Sequence, residues 1–304
     1  MIVSYRPSWR GIVAQVAKPM AVSLAFSVVV DILYVRGYRG GLFSIPALSI
    51  SMFGAALTIF LGFRTNSAYG RWWEARILWG ALVNQSRSWT RQVISYPSET
   101  GDATESSGKF GHEMVHWQIA YVHALRHHLR QEPFSEETKL LLDRVSGRDL
   151  LAQVNVPSAI LHRMGLRLRE AASDGLLTDF QLVTLNQVLT EITNVQGGCE
   201  RIRNTPFPRQ YDYYPALFIQ IYSILLPLAI IEEFGPYTPV VTLLIAFALL
   251  VIDRIGRNLE DPFSSIVYGT PLTAISRTIE IDLRQRLGET ALPKPVMPVD
   301  GILE

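Results

Sequence analysis

The sequence predicts an all-α integral membrane protein, and three observations carry that reading. Four stretches are long, apolar and nearly free of charge, the segments between them place apolar residues at helical spacing, and no period-two run marks a strand in the 304 residues. Composition agrees. With 28 Lys+Arg against 27 Asp+Glu, 48% hydrophobic residues and a mean hydropathy of +0.18, no bulk charge points to nucleic acid as a partner.

The N-terminal segment carries Arg6, Trp9, Arg10 and Lys18 and shows neither the short apolar core nor the small-residue cleavage site of a secretory signal. It reads as a retained amphipathic stretch lying in the membrane interface. The first span follows at about 19–36, where Met20 to Val35 is interrupted only by Asp31. A carboxylate in a span is a site candidate. So close to the end of the span, Asp31 is expected either to pair with Arg36 or to stand at a pore mouth.

The second span, about 42–70, contains 22 uncharged residues from Leu42 to Phe63, and about 20 suffice to cross a hydrocarbon core. At its end come Arg64, then Arg71, Trp72, Trp73, Glu74 and Arg76. Indoles favour the headgroup layer and arginines snorkel into it, so Arg71, Trp72 and Trp73 read as an anchoring collar. Beyond the collar Trp73, Ile77, Trp79, Leu82, Val83, Trp89 and Val93 recur near helical spacing. The span therefore continues as one long rod. Pro97 and the run SETGDATESSG are expected to break it.

Helices are then expected over His112–Arg130, Ser135–Val145 behind a Ser-Glu-Glu cap signal, Pro157–Ala172 and Thr178–Ile202. The third and fourth spans, about 214–232 and 235–253, rest on uncharged runs of 18 and 19 residues, Tyr214–Ile231 and Phe234–Ile252. Pro227 predicts a kink in the third. Between the two spans, Glu232 and Glu233 precede a Gly-Pro turn on the outer side. A last helix spans Leu272–Leu287, and the Pro-rich tail 289–304 reads as loosely ordered. Arginine-rich parts face the cytoplasm, which puts 71–212, 254–288 and both termini inside, although Arg36 and Arg39 oppose the rule. No internal repeat divides the chain, so 1–304 reads as a single domain. Cys199 stands alone, excludes an intrachain disulfide and reads as an inert thiol.

Six histidines invite a metal reading. His112-Glu-Met-Val-His116 matches HExxH literally, and His123, His127 and His128 follow on the same helix. A zincin needs a third ligand, and a di-iron site needs more histidine boxes than one helix with His162 supplies. The stripe therefore reads first as structural or solvated, and no metal or cofactor is expected.

Along the second span, Ala55, Ile59 and Phe63 form a narrow apolar stripe, with Met52 before it. Asn66, Ser67 and Gly70 continue roughly the same face with polar or small side chains. In a symmetric oligomer each becomes a ring, giving a dry constriction that opens into a wet vestibule. Gly54, Ala56 and Gly62 suit close helix approach beside the stripe. An ordinary bundle helix fits the same spacing.

The run LGFRTNSAYGRWWEAR (Leu61–Arg76), with Asn204–Pro215 and Asn258-Leu-Glu-Asp-Pro-Phe263, resembles the bacterial branch of the bestrophin family over nearly the whole chain. The resemblance implies a homopentameric ion channel whose second span lines a hydrophobic neck above a long cytoplasmic vestibule. Phe63, Ile59 and Ala55 then supply the neck rings, although this last ring is usually bulky in the family. The calcium clasp of animal members is not matched, because only Asn258, Glu260 and Asp261 lie near Pro262-Phe263. A second constriction belongs to the family pattern, and Leu177 or Phe180 are its candidates here.

The expected function is a passive channel for small monovalent inorganic ions in a bacterial inner membrane. Its partners are copies of itself, the lipid bilayer and the ions. Asp31, Glu232 and Glu233 favour cations. Arg36 and Arg39 favour anions, and the balance is read for cations, with a chloride-type anion channel as the alternative. A membrane metalloenzyme built on His112–His128 and a membrane-anchored scaffold are the remaining readings.

Overall fold

Helix is the only extended secondary structure among the described residues, which in this computed structural model are 9–37, 45–97, 103–264, 267–299 and 301–304. In chain order the helices are α1 (Trp9–Val35), α2 (Ala47–Ser95), α3 (Ala103–Arg130), α4 (Glu136–Arg144) and α5 (Val156–Ser173). They are followed by α6 (Asp179–Asn204), α7 (Arg209–Phe234), α8 (Thr238–Leu259) and α9 (Leu272–Arg286). Short 3-10 turns occupy Arg148–Ala152 and Gly235–Tyr237.

Two compact units emerge. Among the described residues, an apolar unit comprises Trp9–Trp72 and Pro206–Asp261, and a core unit holds Trp73–Thr205 and Pro262–Glu304. Within the apolar unit, α1 packs on both α7 and α8, which also pack on each other. Its interior is Ile50, Leu57, Leu61, Ile219, Tyr222, Leu226 and Leu249, with a smaller cluster of Val30, Leu228 and Ile231. Three stretches are long and apolar enough to cross a membrane: Gly11–Val35, Ala47–Ser95 and Arg209–Leu259. The last contains both α7 and α8, which part at Gly235, where φ is +51° and a side chain would be strained. Only 22–28% of the most apolar window in each stretch is buried. So much bare apolar surface needs lipid or further protein to cover it. Pro215 and Pro227 lie inside α7, which continues through both.

The core unit is centred on α3, against which α4, α5, α6 and α9 all pack. From Met114 to Leu125 every α3 residue is buried, the pattern of a helix enclosed on all sides. Trp89 fixes the second half of α2 to it, its indole N–H donating to the Met114 carbonyl at 3.1 Å, and Gln118 donates to Ser86 at 2.9 Å. Sequence capping signals are realised here. Ser135 accepts from the Thr138 N–H, and Thr178 and Gln181 form a capping box.

Two expectations are corrected. Ala103–Gly108, read as part of a break, opens α3 instead, since burial at Phe110 and from Met114 onward holds the helix and offsets the weak propensity of Ser106, Ser107 and Gly108. Nor is the tail loose at its very end. Val299 and Ile302 form an antiparallel bridge, and the Ala274 N–H donates to a main-chain oxygen of Glu304 at 2.6 Å. The readings that fall on Arg6, Tyr38–Ser44, Ser98–Asp102, Ser265 and Ile266 lie outside the described residues.

Candidate pore-lining face of α2

One side of the first half of α2 is packed and the other is bare. Leu57, Leu61 and Ala68 are buried, as is Ile50, and Gly54 sits so close to Tyr222 that an added Cβ would fall 2.7 Å from the tyrosine oxygen. Close approach therefore requires glycine at 54. Gly62 meets nothing within 4 Å and Ala56 is exposed, so neither plays that role in the chain. Opposite lie Met52, Ala55, Ile59 and Phe63, all exposed, with Ile59 at 62% and Phe63 at 66%. Asn66, Ser67 and Gly70 continue the exposed face. The Ser67 hydroxyl donates back to the Phe63 carbonyl at 2.9 Å, which ties it to the helix and leaves its lone pairs outward.

A buried charge cluster holds this helix. Arg64, read in the sequence as a snorkelling interface residue, is 1% exposed. Its guanidinium donates to Asp253 Oδ1 at 2.8 Å, to the Asp253 carbonyl at 3.1 Å and to Asp212 Oδ1 at 3.1 Å, with Glu260 at 3.6 Å. Arg257 shares the acids, donating to Asp253 Oδ2 at 2.9 Å and to the Asp212 carbonyl at 3.0 Å. Two arginines thus meet three carboxylates, and the cluster joins α2, α7 and α8. Gly256 keeps α8 close, since a Cβ there would lie 3.3 Å from both Arg64 and the Thr65 hydroxyl.

The cluster explains the segments that carry the family resemblance. Arg64 lies in the first, Asp212 in the second and Glu260 in the third, so distant motifs converge on one packing site. Sequence reasoning missed Asp212, Asp253 and Arg257. The available signal was charge of both signs at the ends of three apolar runs, with Asp253 and Arg257 four apart on one helix face.

Other expected site residues scatter. Asp31 makes no ion pair with Arg36 among the described residues, and its Oδ1 is shielded there without a hydrogen-bond partner. Glu232 and Glu233 are exposed in the last turn of α7. Of the collar, Trp73 is half exposed, while Arg71 and Trp72 are partly buried and Trp72 stacks with Tyr69 at 6.1 Å. Leu177, a constriction candidate, is buried in the hydrophobic interior of the core unit. Phe180, three residues on, is fully outward at 88% exposure.

The histidine stripe is broken up by separate partners. His123 Nε2 lies 3.0 Å from Glu280, which also takes Arg277 at 2.9 Å and Arg284 at 2.8 Å. His127 Nε2 lies 2.9 Å from the Arg126 guanidinium, which must be the donor, and 3.1 Å from Thr138. Burial pushes both imidazoles below the ordinary value, His127 to about 4, so these rings are neutral. Glu113 of the HExxH string is paired with Arg167 at 3.0 Å and is not free to act as a base. Burial pushes the Cys199 thiol up to about 12, consistent with an inert role.

Comparison with known proteins matches this architecture to one family. The model of the Bacterial/Fungal Bestrophin protein family matches residues 4–285. Among curated proteins, a voltage-dependent anion channel-forming protein, YneE, of Escherichia coli K12 is 33% identical over 95% of this chain and 93% of its own. Its Salmonella typhi counterpart is 36% identical over 82% and 79%. Among solved structures, the crystal structure of a bacterial bestrophin homologue from Klebsiella pneumoniae superposes with a TM-score of 0.80 at 28% identity, covering 90% of this chain and 99% of that one.

Proposed function

The chain belongs to the bacterial and fungal bestrophin family, a family of membrane channels rather than enzymes, and on that premise we propose that it forms a homopentameric passive channel for small monovalent inorganic ions. The observation that carries the reading is the two-sidedness of α2. A helix clamped on one side by Arg64 and packed through Leu57 and Leu61 presents Ala55, Ile59 and Phe63 on the other, uncovered. Five copies around one axis turn that face into a dry neck, with Asn66, Ser67 and Gly70 beginning the wet part of the path. Of the two cytoplasmic candidates, Phe180 alone retains the exposure that a second ring requires.

The setting follows from the same reading. We read four spans, α1, the first half of α2, α7 and α8, in a bacterial inner membrane with both termini cytoplasmic, a reading supported by the apolar stretches and by the arginine-rich segments between them. Asp31, Glu232 and Glu233 then stand at the outer mouth. On these acids alone cations are favoured, but relatives at 33–36% identity are named for anions. An uncharged neck discriminates weakly by itself, so we assign anions ahead of cations. Purified protein in planar bilayers with asymmetric salt is expected to reverse near the anion equilibrium potential. Reversal near the cation potential would restore the cation reading, and absence of unitary current would overturn the channel.

A further inference from the structure

We propose that His112, His116 and Glu289 form a transition-metal site of the zinc class in the core unit, clasping α3 to the segment that follows α9. The ligand atoms of these three side chains all lie within 4.8 Å of one another. A cation between them sits about 2.4 Å from the farthest pair. Rotation of the exposed His112 ring shortens that to the about 2.1 Å of a zinc–nitrogen bond.

The orientation of His116 argues for a cation more strongly than proximity does. Its Nδ1 lies 2.9 Å from the His112 carbonyl and donates to it, so in the neutral ring the lone pair is on Nε2. That Nε2 points at Glu289 Oε1, 3.1 Å away. A lone pair facing a carboxylate oxygen at this distance calls for a positive charge between them, which a metal ion or a ring proton supplies. A ring nitrogen locked by a backbone carbonyl, with the other nitrogen facing outward, is the usual support of a metal-bound histidine. Glu289 is held in turn, since Arg284 donates to its other oxygen at 3.2 Å and leaves Oε1 for the site. The His112 and His116 rings stand nearly parallel, 5.1 Å apart, as residues four apart on one helix face must.

Two imidazoles and one carboxylate suit zinc and its neighbours in the first transition row. Calcium and magnesium prefer oxygen donors in larger number. Catalysis does not follow, because Glu113, the base of an HExxH enzyme, is engaged by Arg167. The site is structural, and it is independent of the channel reading.

The test uses the full chain, purified in detergent with no histidine tag, stripped with chelator and titrated with zinc chloride in a calorimeter. One zinc per chain is expected, with a rise in the thermal unfolding midpoint. His112→Ala changes an exposed side chain, and Glu289→Gln keeps an acceptor for Arg284, so both variants should fold. Each is expected to weaken binding by at least about tenfold and abolish the thermal shift. His162→Ala, an exposed histidine elsewhere, should bind as the parent does. The proposal is overturned by zinc binding that survives both variants, or by a parent that binds none, in which case a proton fills the gap between His116 and Glu289.

Discussion

The two halves of α2 carry similar apolar residues to opposite ends. Beyond Trp73, Trp79, Leu82, Trp89 and Val93 are wholly buried against the core unit's other helices. Before it, Met52, Ile59 and Phe63 are each more than 60% exposed. Hydrophobicity does not distinguish them. The core unit closes its apolar surface with its own α3, α5 and α6, whereas the apolar unit has too few helices to enclose α2. Its missing partners lie outside the chain, in lipid or in further copies. Polar groups differ in the same way. Those of the core unit are spread over several sites, among them Glu280 with His123, Arg277 and Arg284, and those of the apolar unit are concentrated in one cluster on Arg64.

The largest test of this contrast is Arg64→Ala. Removing the guanidinium leaves Asp253, Asp212 and Glu260 close together with only Arg257 to offset them, an expected loss of roughly 3–5 kcal/mol. Thermal unfolding in detergent should show a collapse of folded yield, and a stable variant would mean that the cluster does not hold α2. Acid should act next, and on the core unit. His127 has a folded pKa of about 4 against an ordinary 6.5, so as pH falls through this window the unfolded chain takes up a proton that the folded chain refuses. Stability must then fall with pH, by about 2 kcal/mol between pH 7 and 5. His127→Gln should flatten that part of the profile, and an unchanged slope would remove His127 as its source. The smallest effect on stability should come from Phe63→Ala on the bare face, within about 0.5 kcal/mol. Unitary conductance should rise all the same. An unchanged current would move the limiting ring off Phe63, and a cost as large as that of Arg64→Ala would erase the contrast.

Local features were legible in the sequence. The length of α2, the caps at Ser135 and Thr178, and the stripe of Ala55, Ile59 and Phe63 all follow from spacing within a few turns. What escaped depends on distant partners. Arg64 beside an apolar run looks like an interface arginine until Asp212 and Asp253, 148 and 189 residues away, are seen to enclose it. Glu289 sits in a Pro-rich segment whose composition hides its contact with His116. Leu177 and Phe180 were inseparable by composition. The first precedes the Thr178 cap and turns inward, while the second begins a new helix and turns outward.

The continuity of α2 has a mechanical consequence. Its 49 residues form one hydrogen-bonded ladder, about 74 Å long, with no internal proline to act as a swivel. The angle at which Ile59 faces its surroundings is therefore geared to the angle at which Arg64 is gripped. Adding one residue to the rod between them would turn the face by about 100°, and adding seven would bring it back to within about 20°. Whatever twists the helix at Arg64 is felt as a rotation of that face.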